Sequence, residues 1–394
     1  MKNLWKENTP QTFWQTSPAI ADEIWFQAVE KSVSALNLQK ELSDLDQIYA
    51  MTLGEEQFGD DRYDLGSMKR LYYELKPLLP RFVINILKKL NSSMTTDEFL
   101  LNWPEEDKYI QFQWETLKNV LDISGKTDLQ FMHFWPEGKR FAFTLTHDIE
   151  SEKGQSFVRN VADLEEELGF RSSFNFVPEK YRLDFELMEE LRNRGFEIGV
   201  HGLKHDGKLF SNKDEFYRRA EKINNYLNDF GAVGFRSPLC HRNPEWMQAL
   251  NVEYDLSFFD TDPFEPILGG SMSIWPYKLG KFIELPYTLV QDSTLRYTLE
   301  KSEPDLWLDK VNFIEKYYGM ALLNSHPDYL QDSTLFEIYK NFLIGVKEKG
   351  NYWHALPNEV AAWWKDRMSG TSMQNVHRAK LGDIKFDQGI VQIK

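Results

Sequence analysis

His201 and His205 stand four residues apart in HGLKH, directly after the apolar run FEIGV, in a chain with only eight histidines. Two imidazoles at that spacing on one turn can face a common point, and a carboxylate beside them completes the three-ligand, open arrangement of a catalytic divalent metal. Taken alone, the pair is an ordinary solvated loop. Other residues of fitting chemistry close other apolar runs, however. FAFTLT leads into Thr146-His147-Asp148-Ile149-Glu150, AVGF into Arg236-Ser237-Pro238, YDLSFF into Asp260 and Asp262, and MALLNS into His326. A further histidine and aspartate can act as general acid and base, and an arginine can position a carboxylate. Any one of these is a weak signal; five at the ends of five strands are not.

Such scattered side chains meet only if the elements carrying them run in parallel, as in barrels whose sites form at the C-terminal strand ends. From Phe141 onward, strand and helix signals alternate, the pattern of βα units. FAFTLT is followed by VRNVADLEEELG, RSSFNFV by LDFELMEELRNRG, FEIGV by EFYRRAEKINNYLNDFG, and AVGFRSP by PEWMQALN. YDLSFFD, KFIELPYTL and MALLNSHP bring the strands to about seven. The predicted fold is α/β: a distorted (β/α) barrel of seven strands with an N-terminal helical region. The expected divisions are residues 1–128, helical and without an assigned role, 129–366, the barrel, and 367–394, a polar peripheral tail.

In the first part, Ser17-Pro18 has the form of a helix N-cap followed by proline at the first helical position, and GDDRYDLG (59–66) is a loop by composition. MKRLYYELKPLLPRFVINILKKL (68–90) carries six Lys/Arg and one Glu. A basic amphipathic stretch can lie on a membrane surface; a helix packed on the barrel and interrupted at Pro77 and Pro80 is favoured over that.

The net charge of −15, from 46 basic and 61 acidic residues, argues against a nucleic-acid groove, because phosphate binding needs a basic face. The single Cys240 excludes an intrachain disulfide and fits a reducing compartment. With no apolar leader and no run near the eighteen or so apolar residues of a membrane span, a cytoplasmic protein is expected. Aromatic residues make up 14% of the chain, twelve of them tryptophans, and most are expected in the core.

Taken in order and spacing, FTLTHD, HGLKH, GFRSP, FFDTD and LLNSHP resemble the five motifs of the polysaccharide deacetylase family (carbohydrate esterase family four). That family includes chitin-oligosaccharide and peptidoglycan N-deacetylases. The resemblance covers roughly residues 130–365; its motifs are moderately specific singly and strongly so together. It implies a barrel holding Zn²⁺ or a similar divalent ion, with water activated there attacking an acetamide to release acetate and a free amine. By position, Asp148 falls on the family's catalytic base, His201 and His205 on its metal histidines, and Arg236 on the arginine that orients the base. His326 falls on the general acid, and Asp260 near the aspartate that tunes it, with Asp262 as second choice.

Two departures matter. Where the family usually has a second aspartate, this chain has Ile149, so Glu150 is expected as third ligand, turned inward by a small strand-end bulge. The alternative slides the alignment by one residue, making His147 the base and Asp148 the ligand. Gly202 stands where a small hydroxyl residue is common, and is expected to loosen the loop and lower metal affinity. His133 and His241 have no counterparts and are taken as structural. The leading function is removal of acetyl from an N-acetylated sugar, such as a polysaccharide precursor. Alternatives are hydrolysis of a non-sugar C–N bond (a cyclic ureide or imide), for which the pocket around His241 and Trp275 would have to be narrow, and a metal-free carbohydrate-binding pseudoenzyme, for which Ile149 is the main support.

Overall fold

β-Branched and aromatic runs in the second half of the chain are buried on both faces, as strands of a parallel sheet wrapped by helices must be. The computed structural model describes residues 3–38, 42, 44–66, 99–371 and 378–394. The basic stretch 68–90, with its membrane-surface or barrel-packing alternatives, lies outside the described residues.

The strands are β1 (Thr16–Ser17), β2 (Asp128–Met132), β3 (Phe141–Ile149), β4 (Ser173–Phe176), β5 (Glu197–His201), β6 (Gly234–Arg236) and β7 (Tyr254–Asp255). They continue with β8 (Tyr277–Leu279), β9 (Phe282–Glu284), β10 (Met320–Ser325), β11 (Tyr352–His354), β12 (Leu381–Asp387) and β13 (Ile390–Ile393). The main sheet runs β10-β3-β4-β5-β6-β7-β9, parallel throughout, with β8 antiparallel outside β9 and β11 beside the first half of β3. Its two ends meet. Beyond β9, isolated bridges join Phe259 to Tyr287 and Leu289 to Leu323, and the backbone N–H groups of Thr288 and Leu289 donate to Leu322 O at 3.1 and 3.2 Å. The result is the predicted distorted (β/α) barrel of seven parallel strands.

Helices Glu152–Leu168, Phe185–Asn193, Lys213–Asp229, Asp305–Lys316, Ser333–Lys349 and Pro357–Ser369 surround it. The first shows why they form. Ser151 caps it, its Oγ accepting from Gly154 N at 3.2 Å; Val158, Val161, Ala162 and Glu165 form the buried stripe; Gly169 at φ 86° ends it.

Side-chain alternation along β3 has the largest consequence. Phe143 and His147 turn outward, Phe143 onto Phe342 and His147 onto helix Glu152–Leu168 through Glu165. Thr146 and Asp148 therefore point into the barrel, and Glu150 follows on the same face. No bulge is needed to bring Glu150 inward: β3 pairs continuously with β4 from Thr146 to Ile149.

Before the barrel lie helices Pro10–Trp14, Asp22–Ser32, Leu45–Met51 and Lys108–Ser124. Phe13 packs 4.9 Å from Trp275, and the Trp14 indole donates to Gln113 O at 3.2 Å. Trp275 is fully buried and stacked on Phe134; it belongs to the core, not to the pocket wall expected of it. The stretch expected as a polar peripheral tail holds two strands with alternate residues exposed. β12 and β13 form a hairpin whose β12 pairs with β2, giving a second, antiparallel sheet of order β1-β2-β12-β13. No helix among the described residues is long and apolar enough to cross a membrane.

Candidate active site

β5 ends on His201, and the chain turns at once. Gly202 adopts φ 60°, and its N–H donates to Arg236 O at 3.0 Å. A Cβ there would meet Pro238 Cγ at 2.4 Å. Both the left-handed φ and the close approach call for glycine, so the expectation of a loosened loop is corrected: Gly202 locks it. His205 has φ 50°, an uncommon backbone conformation that histidine adopts more readily than most residues, and its ring lies 5.0 Å from that of His201.

His201, His205 and Glu150 converge. One ligand atom from each lies within 4.8 Å of the others, and His205 Nε2 is 2.8 Å from Glu150 Oε1. His201 Nδ1 faces Arg236 O at 3.1 Å. A carbonyl can only accept, so Nδ1 carries the proton and Nε2 presents its lone pair. That Nε2 is buried and has no hydrogen-bond partner among the described residues. Burial lowers the His201 pKa to about 4, against the opposing pull of Asp148, so the ring is neutral, as a ligand must be. A buried, oriented, unpartnered nitrogen beside an imidazole and a carboxylate fits a divalent cation of zinc type.

Asp148 sits beside this cluster, its Oδ1 accepting from Asn175 Nδ2 at 3.0 Å and its Oδ2 from Asn324 Nδ2 at 2.9 Å. Arg236 Nη1 lies 3.6 Å from Oδ2 and donates to Thr146 Oγ1 at 2.9 Å, while its Nε donates to Leu256 O at 2.9 Å. Burial would raise this carboxyl, but the neighbouring His201, Arg236 and His326 and the Asn175 hydrogen bond outweigh it, holding it at about 2.

His147, the alternative base, is fully buried on the outer face of β3. Its Nε2 meets Glu165 Oε1 at 2.6 Å, its Nδ1 meets Ser325 Oγ at 2.8 Å, and its ring stacks on Phe174. The slid alignment is therefore corrected by strand periodicity. Ile149 shares that outward phase, so its inability to bind metal takes nothing from the site.

His326 caps the β10 end, 5 % exposed. Its tuning carboxylate is not Asp260. Asp260 Oδ2 is 2.6 Å from Lys310 Nζ and its Oδ1 accepts from Thr261 N; Asp262 accepts from the Tyr287 hydroxyl at 2.8 Å. Asp292 takes the position instead, its Oδ1 2.7 Å from His326 Nδ1 and its Oδ2 accepting from His326 N at 2.8 Å. Burial opposes the charged ring, but Asp292, with Glu150 and Asp148 behind it, raises the His326 pKa to about 10. Asp292 follows the KFIELPYTL run by three residues, which is the signal that could have found it; Asn175 and Asn324 sit inside two other runs, where a rule that looks for acids and bases does not select them. His241 borders a small cavity together with His205 and Pro238.

No family model matches the chain, and no curated protein matches it. Among solved structures, it is similar to the Xyl-CE4 domain of a multidomain xylanase from the hindgut metagenome of Trinervitermes trinervoides: 16% identity, 56% of this chain and 89% of that one, TM-score 0.38. It is similar to PuuE allantoinase at 13% identity, over 58% of this chain and 92% of that one, TM-score 0.46. It is also similar to the peptidoglycan deacetylase PdaC from Bacillus subtilis at 12% identity, over 60% of this chain and 96% of that one, TM-score 0.39.

Proposed function

We propose that this protein is a metal-dependent hydrolase that removes acetyl from an N-acetylated sugar or polysaccharide precursor. The observation that carries this is the convergence of Glu150, His201 and His205 around a buried, unpartnered imidazole nitrogen, with an ionised aspartate on one side and a protonated histidine on the other. The order and spacing of the five motifs support the same chemistry.

Glu150 Oε, His201 Nε2 and His205 Nε2 would hold the ion. When bound, a zinc-type ion polarises an amide carbonyl and brings the pKa of water toward neutrality. Asp148 is ionised at every working pH. Asn175, Asn324 and Arg236 fix it in one orientation, from which it accepts the proton of attacking water. His326, kept charged by Asp292, delivers a proton to the departing amine nitrogen, without which that amine is a poor leaving group. Pro238, Cys240 and Gln291, all buried, would help exclude bulk water and so strengthen each of these charges.

The test is acetate release from N-acetylglucosamine oligomers by protein loaded with one equivalent of Zn²⁺, and its loss in His201→Ala. Stoichiometric metal without acetate release from any N-acetylated sugar would reject the substrate class. A second reading, hydrolysis of a cyclic ureide or imide, has one observation in its favour: Asp148 and His201 are each 2 % exposed, a depth suited to a small substrate.

A further inference from the structure

Among the described residues before the barrel none is a ligand, acid or base of the cluster above, yet one of them reaches the loops beside it. Glu55 lies in a tight turn at φ 56°, where the Gly54 carbonyl accepts from Arg62 Nε at 2.7 Å and from the Tyr63 hydroxyl at 2.8 Å. Its carboxylate enters the barrel's substrate end. Oε2 accepts from Arg242 Nε at 2.7 Å, and Oε1 accepts from Arg242 Nη2 and, at 2.7 Å, from Gly270 N. Both side chains are 1 % exposed. The contact is tight enough that a Cβ on Gly269 would lie 2.4 Å from Glu55 Oε1.

Each partner of Glu55 anchors a different loop. Arg242 Nη1 donates to Cys240 O at 3.1 Å, at the end of a turn in which two consecutive non-glycine residues, Leu239 and Cys240, have φ 59° and 48°. Such a backbone persists only where its surroundings over-determine it. This turn follows Pro238, which packs on Gly202 between the two metal histidines. Gly270 closes the other loop, whose Asp262 and Gly269 exchange hydrogen bonds at 3.0 and 3.2 Å. That loop carries Glu265, which accepts from Gln291 Nε2. Gln291 Oε1 in turn lies 3.5 Å from Asn324 Nδ2, a donor to Asp148. Glu55 is thus one side chain, Arg242, from the strained turn and a short relay from the catalytic carboxylate.

We propose that Glu55 is a positioning residue of the site: acting through Arg242 and Gly270 N, it holds the Leu239–Cys240 turn and the Asp262–Gly270 loop in the conformation that shapes the substrate side. This rests on the hydrolase reading above for its activity readout alone. Truncating one partner of a buried pair leaves the other charge uncompensated, so the loops, not the metal ligands, should relax.

The experiment compares full-length wild type with Glu55→Gln, and with Glu55→Asp, which keeps the charge but is too short to reach both partners. Activity, Zn²⁺ affinity and hydrogen exchange are followed well below the melting temperature. The expected result is a fall in kcat/KM of about tenfold, mostly in KM, with Zn²⁺ affinity within about twofold and faster exchange at 239–242 and 262–270. Glu55→Asp gives a smaller change of the same kind, and carries the test if Glu55→Gln does not fold. Unchanged kcat/KM in a folded variant, or exchange at the two loops equal to wild type, overturns the proposal. Wild type that releases no acetate overturns the hydrolase reading alone, because the exchange comparison still decides the positioning role.

Discussion

Asp292→Asn keeps the shape of a fully buried side chain and removes its charge from beside His326. Burial alone would push the imidazole down, and Asp292 heads the groups that raise it to about 10 from an ordinary 6.5. At 1.36 kcal/mol per pH unit, that rise is a preference for the charged ring of some 5 kcal/mol. If Asp292 supplies about half of it, its loss costs roughly 2–3 kcal/mol and moves the alkaline limb of kcat/KM down by about two pH units. The assay is acetate release against pH at fixed Zn²⁺. The same pair makes a stability statement whose sign follows from linkage. Because the folded-state value is the higher, the pair stabilises the fold in full below pH 6.5 and ceases to do so as pH rises through about 10. Urea unfolding should therefore show Asp292→Asn well below wild type at about pH 6 and close to it above about pH 10. An alkaline limb that stays where it was, with a stability deficit equal at both pH values, would refute the assignment of Asp292.

Gly202→Ala must place a Cβ 2.4 Å from Pro238 Cγ at φ 60°, so a loss of about 1–3 kcal/mol in thermal or urea unfolding is expected, with weaker Zn²⁺ binding by the displaced His201–His205 turn. Asp260→Asn leaves the buried Lys310 ammonium without its 2.6 Å partner. It should destabilise by about 3 kcal/mol while the pH–rate profile keeps its shape, and a shifted alkaline limb would return Asp260 to the site. His147→Gln should lower stability but keep kcat/KM within about threefold of wild type. A loss of a thousandfold or more with Zn²⁺ still bound would make His147 the base after all.

The barrel and most of the site were legible because continuous apolar runs between helical stretches, side-chain alternation along a strand and the chemistry at run ends are local signals. The same periodicity along Asp148-Ile149-Glu150 already separates the inward pair from the outward isoleucine, and a bulge was unnecessary. What escaped were partners chosen in three dimensions. DTDP lies at a strand end and resembles the expected aspartate, but Asp260 is claimed by Lys310, fifty residues on, a contact no spacing rule reveals. Asp292 sits past the end of β9, where the chain continues through single bridges, not a full ladder. Asn175 and Asn324 do not titrate, so a search for acids and bases passes over them although they orient the base. In the C-terminal hairpin, Ile384 and Phe386 alternate with polar residues before Gln388-Gly389, both at positive φ; Gln-Gly is not among the Asn-Gly and Asp-Gly pairs that mark such a turn, and the polar composition of the preceding stretch obscured the alternation.

Titrating Zn²⁺ against a competing chelator into metal-stripped wild type, Glu150→Gln, His201→Ala and Asp148→Asn decides whether Glu150, His201 and His205 form a metal centre. Wild type should take up one tight equivalent, affinity should fall by about a hundredfold or more when Glu150 or His201 is replaced, and Asp148→Asn should keep near-native affinity with no acetate release. Wild type that binds no stoichiometric zinc, or a Glu150→Gln variant that binds as tightly as wild type, would contradict that centre.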